Sequence, residues 1–261
     1  MLDPASPLTQ PVLWLALAGI LAVLIVRAVR KDRREYARFK RYRTTLRRQA
    51  MLRRWLWDSF TWLGGLAVVS LVLAGAFVAP LLQQLMSWPL VSGIRGIIIH
   101  DASLAVGVIV GLVIVFALVT VVGVRAARRE QDVPMIGDIA AMLPRNRQEL
   151  RIGAVMSVNA GVVEELLFRL GMPALIFGAT GSAVAAVVAS ALLFGALHVY
   201  QGIGGVVGTT IIGAVFLLIY AVTSSIVVPI VLHALFDLRS LVLIPVTVYG
   251  VHKIDGKPTV A

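Results

Sequence analysis

Glu164 and Glu165 stand side by side in the run Val162-Val163-Glu164-Glu165-Leu166-Leu167-Phe168-Arg169. On a helix Glu165 and Arg169 are at i and i+4, so they share a face and can form an ion pair. Glu164 is rotated away by about 100° and gains no partner from that spacing. An unpaired carboxylate in a low-dielectric setting is suited to work as a general base. Phe194 and His198 share a face by the same spacing, and so do His233 and Asp237. An Asp in that position can hold an imidazole in one tautomer or stabilise its charged form.

Two chemistries fit these residues. In one, Glu164 and His198 activate a water for attack on a peptide carbonyl, and His233, aided by Asp237, stabilises the developing oxyanion. In the other, Glu164, His198 and His233 ligate zinc as a His₂Glu set, with Asp237 orienting a ligand from behind. The chain has no HExxH helix, which weighs against zinc, and no cysteine, which removes thiol catalysis and Cys-ligated metal.

The segments that carry these residues are strongly apolar. Of the 261 residues 59% are hydrophobic, and mean hydropathy is +0.92, against about 45–50% apolar residues in a soluble domain. The excess lies in runs long enough to cross a bilayer core of about 30 Å. The fold expected is an all-α, polytopic transmembrane helical bundle of about seven spans, near residues 8–26, 55–82, 102–124, 152–177, 182–200, 203–222 and 226–248. An ionisable side chain costs roughly 2.5–3.5 kcal/mol at the centre of a membrane helix. The first three spans carry almost none, whereas the later ones hold Glu164, Glu165, Arg169, His198, His233, Asp237 and Arg239. Such groups must converge, since none can face lipid cheaply.

The net charge of +11 is concentrated. Residues 27–54 hold 13 of the 24 Lys and Arg with only Asp32 and Glu35 among them, and residues 125–151 hold six more with four acids. Both segments lie between apolar runs, the pattern of cytoplasmic loops under the positive-inside rule. The expected partners are therefore membrane lipids, including anionic headgroups, and not nucleic acid. Threading the spans puts the N-terminus outside and the C-terminus in the cytoplasm of a multi-pass cell-membrane protein.

Glu164-Glu165-x-x-x-Arg169, Phe194-x-x-x-His198 and His233-x-x-x-Asp237, in this order on successive late spans, resemble the three motifs of the CPBP intramembrane proteases, the CAAX-protease and bacteriocin-processing family. The resemblance covers roughly residues 150–245. It divides the chain into N-terminal spans with basic loops (1–150), a protease core (151–250) and a short polar tail (251–261). It implies a glutamate-dependent membrane endopeptidase acting on membrane-associated or lipidated peptides or proteins. Glu164 would be the base, assisted by His198. His233 and Asp237 would form the oxyanion site, and Glu165 and Arg169 a supporting ion pair. It also moves the expectation from zinc to glutamate-activated water without a cofactor. CAAX-processing members usually have Asn where this chain has Asp237. An ionised Asp cannot donate a hydrogen bond, so here Asp237 would be protonated or would act by holding His233 as imidazolium. The rival functions are a catalytically silent scaffold or immunity protein on the same fold, and a proton-coupled transporter. The transporter is disfavoured because no internal repeat is visible. Neither substrate nor oligomeric state is legible.

Overall fold

The computed structural model describes residues 2–100, 102–130 and 137–256. The chain is an all-α bundle. Its elements are α1 (Thr9–Phe39), α2 (Thr45–Met86), α3 (Pro89–His100), α4 (Ala102–Glu130), α5 (Arg147–Glu165), α6 (Met172–Thr180), α7 (Ala183–Leu197), α8 (Gly202–Thr223) and α9 (Val227–Tyr249). Among the described residues four helices, α1, α2, α8 and α9, are long and apolar enough to cross a membrane. The π segment Leu166–Gly171 joins α5 to α6, so the expected fourth span is one winding path of helix.

Two stretches differ from the sequence reading. Residues 27–54 are not a loop. Neither Pro nor Gly interrupts them, and they form a helical hairpin with its turn between Phe39 and Thr45. At 1.5 Å per residue α1 is about 46 Å long, more than a bilayer core, so its basic end continues beyond the apolar part. The stretch between the expected second and third spans contains α3, whose Val91 is buried. At 12 residues α3 is too short to span.

The expected boundary at residue 150 falls within the first turns of α5. Leu13, Leu17, Ile20 and Leu24 of α1 and Ala67 and Ala74 of α2 share one buried cluster with Leu167, Met172, Leu175 and Ala179. The N-terminal helices therefore form the wall against which the later segment is built. A polar anchor fixes the start of α5. Asn146 caps it by accepting from Glu149 N at 2.9 Å. Glu149 meets Arg48 at 3.1 Å, both side chains 1% exposed. Arg48 also donates to the carbonyls of Ala141 and Leu143 and lies over the ring of Phe39. The expected polar tail is pinned here too, through Gly256 O to Gln49 and Ile254 O to Arg147 N. Residues 257–261 of that tail, and 131–136 of the second basic segment, lie outside the described residues.

Candidate active site

The close approach of α5 and α9 sets the site. A Cβ on Gly161 would fall 2.8 Å from the carbonyl oxygen of Ile230 and 3.0 Å from Ala234 N, so only glycine permits this spacing. One turn further along, Glu164 and Glu165 face His233.

Glu165 is fully buried. Its Oε2 lies 2.9 Å from Arg169 Nε, the i, i+4 pair expected. Its Oε1 accepts from His233 Nδ1 at 2.6 Å. Glu165 thus orients the imidazole from α5. Asp237, expected to do so from His233's own helix, instead lies 3.8 Å from Nε2 at the opposite end of the ring. Glu164 Oε2 approaches the same nitrogen at 4.0 Å. The two adjacent acids are differentiated by burial: the Glu164 side chain keeps 17% of its exposure and Glu165 none.

The π segment carries Arg169 inward. Its Nη1 and Nη2 have no oxygen partner among the described residues. The guanidinium carbon instead sits 4.5 Å from the Phe194 ring centroid and 5.6 Å from that of Phe216, where cation–π attraction partly replaces water. Phe194 is a hub. It packs edge-on to Phe168 and His233 and tilted on His198 at 4.9 Å. Phe216, on α8, also covers the His233 ring at 5.5 Å. The sequence reading missed Phe216, since an aromatic on an apolar helix carries no mark of its neighbours.

His198 closes α7. Its Nδ1 lies 2.8 Å from the carbonyl oxygen of Phe194. A carbonyl only accepts, so Nδ1 carries the proton, and in the neutral ring Nε2 is left as acceptor. A 3₁₀ turn, Val199–Gln201, follows. It ends at Gly202, whose φ of +79° is open to glycine and strained for other residues.

Glu164, His198, His233 and Asp237 all line one cavity of about 820 Å³. Its walls are mostly apolar, with Leu24, Leu63, Met142, Met156, Ile212 and Phe236 among them. Asn159, Tyr200 and Gln201 add polar groups, and Arg27, Lys31, Asp32 and Asp58 bring charges from α1 and α2. Arg239 also lines it and donates to Thr120 Oγ1 of α4 at 3.0 Å. The π segments Arg27–Asp32, Ser59–Leu63, Leu166–Gly171 and Arg239–Leu243 each contribute to this wall. The extra residue per turn widens a helix locally, and such segments concentrate at functional sites.

No group of three or more His, Asp or Glu side chains among the described residues is gathered so as to hold a metal ion. In His198 and His233 it is Nδ1 that is engaged, by Phe194 O and by Glu165, which leaves Nε2 of each ring without a hydrogen bond among the described residues. The Glu164/His198/His233 set as placed is not gathered as a zinc site.

No curated protein and no solved structure matches the chain. Residues 146–239, which contain every member of the cluster, match the model of the Rce1-like family, described as type II CAAX prenyl endopeptidase Rce1-like, the family to which the three sequence motifs point.

Proposed function

We infer that the chain is a membrane endopeptidase in which Glu164 and His198 activate water against a peptide bond held in the cavity. The observation that carries this reading is that Glu164, His198, His233 and Asp237 all line one largely apolar cavity inside a membrane bundle. Such a cavity suits a peptide tethered by a lipid or by a membrane segment. Glu164 takes one proton from water as the water oxygen bonds to the carbonyl carbon, while the remaining water O–H donates a hydrogen bond to His198 Nε2. The carbonyl π electrons move onto oxygen. The C–N bond then breaks, and Glu164 returns its proton to the departing amine. His233, with its Nδ1 proton committed to Glu165, donates from Nε2 only when both nitrogens are protonated.

The test is peptide profiling of membranes and medium from cells expressing wild type or Glu164→Gln, with His198→Ala beside them. Peptides present only with wild type are expected, and these name the substrates. Cleavage retained in both variants sinks the reading. A deletion phenotype rescued in full by Glu164→Gln points to the silent scaffold. Metal analysis of purified protein, paired with cleavage in chelator, tests metal independence. Stoichiometric zinc with chelator-sensitive cleavage would overturn the water mechanism as written.

A further inference from the structure

The oxyanion half of the site is short of donors: His233 Nε2 carries a proton only in the imidazolium form, and Glu164 and Asp237 stand 4.0 and 3.8 Å from it. Asp237, where ionised, only accepts. The Nδ1 protons of His233 and His198 are spent on Glu165 and the Phe194 carbonyl. Arg169 is sealed behind Phe194 and Phe216, and it does not line the cavity. Most other donors on the wall are also committed. Asn159 donates to Ser59, Thr209 to Gly205 O, Ser240 to Phe236 O and Tyr36 to Asp138 O.

Tyr200 is different. It lines the cavity two residues beyond His198, and its ring stacks on that imidazole at 6.0 Å with an interplanar angle of 29°. Tyr36 packs edge-on against it at 5.3 Å. Its hydroxyl oxygen accepts from Gln201 Nε2 at 2.9 Å. Gln201 is in turn held by Asp138 N, which donates to its carbonyl at 2.8 Å. The phenol is therefore clamped on its ring and on its oxygen, yet its own O–H proton has no acceptor among the described residues.

We propose that Tyr200 is a catalytic residue, whose O–H donates a hydrogen bond to the oxyanion and so supplies the donor that Asp237 does not. This rests on the endopeptidase reading above. The proton stays on the phenol. Water oxygen bonds to the carbonyl carbon, Glu164 takes the proton, and the electron pair displaced onto the carbonyl oxygen is met by Tyr200 O–H. Removing one such donor typically costs 10²–10³ in kcat. An Asn at position 237 carries an amide N–H and would make Tyr200 partly redundant.

The test uses the full chain in lipid nanodiscs. The probe is a quenched fluorogenic peptide carrying a farnesylated cysteine three residues from its C-terminus, or failing cleavage of that, a peptide identified by the membrane profiling. Tyr200→Phe keeps the stacked ring and removes only the hydroxyl. It is expected to lower kcat by about 10²-fold with KM unchanged. In an Asp237→Asn background the same change should cost less than about tenfold, a non-additivity that a purely structural role would not produce. Tyr200→Phe within about threefold of wild type, a loss confined to KM, or an equal loss in both backgrounds overturns the assignment. Glu164→Gln separates the two levels of inference. If it is inactive while Tyr200→Phe is not, only Tyr200 loses its role. If it cleaves as wild type does, or if wild type cleaves no peptide at all, the endopeptidase reading falls and this one with it.

Discussion

Glu165 makes two contacts that differ in kind. One ties it to Arg169 within its own helix, and the other crosses to His233 on α9. Glu165→Gln keeps the size but leaves the Arg169 guanidinium without a counter-charge. Breaking a buried pair on one side costs about 3–5 kcal/mol. We expect a clear fall in the midpoint of thermal or denaturant unfolding together with loss of cleavage. Glu164→Gln should abolish cleavage while leaving the midpoint nearly unmoved, because Glu164 is partly exposed to the cavity and its contact with His233 is long, at 4.0 Å. Equal destabilisation by both substitutions would contradict this division of labour between neighbours. At the start of α5, Arg48→Ala strands Glu149, which is fully buried. A loss of about 3–5 kcal/mol is expected there as well, read as earlier proteolysis of the hairpin.

At the scale of elements the decisive contact is α5 against α9. Gly161→Val places its side chain against the Ile230 carbonyl and Ala234. Overpacking of this kind costs about 1–3 kcal/mol, and here it also pushes His233 away from Glu165. The expected outcome is a folded, inserted protein whose cleavage rate falls by at least tenfold, measured with the same peptide probe and normalised to purified protein. A Gly161→Val variant with wild-type activity would show that the spacing of these helices does not govern the site.

For the whole molecule, charge segregation bears on orientation. Ten Lys and Arg of the α1–α2 hairpin are exposed, while Glu35 is buried and Asp32 and Asp58 are partly covered. Glu35 and Asp58 are drawn inward by Trp55, Lys31 and Arg54. Under the positive-inside rule the hairpin belongs in the cytoplasm, which keeps the N-terminus outside as our proposed topology. The chain has no cysteine, so single cysteines report cleanly. Arg38→Cys should resist a membrane-impermeant maleimide in intact cells and react after permeabilisation, and Ser6→Cys should label in both. The reverse pattern would invert the topology.

Much was legible in sequence because helical periodicity is local. The 3.6-residue turn puts Glu165 over Arg169 and brings His198 back to the Phe194 carbonyl with no knowledge of the rest of the fold. The cost of burying charge in lipid marked which residues must converge. The length of apolar runs indicated the class of fold, though it mistook the continuous hairpin for a loop and passed over α3. What only the tertiary structure decided is how positions distant in the chain meet. Glu165, rather than Asp237, holds His233 across 68 positions. Phe216 and Phe194 shield Arg169, and Tyr200 comes to rest on His198 with its proton unspent. These follow from side-chain packing between helices, as at Gly161, and from backbone turns such as that at Gly202. No spacing rule along one helix contains them.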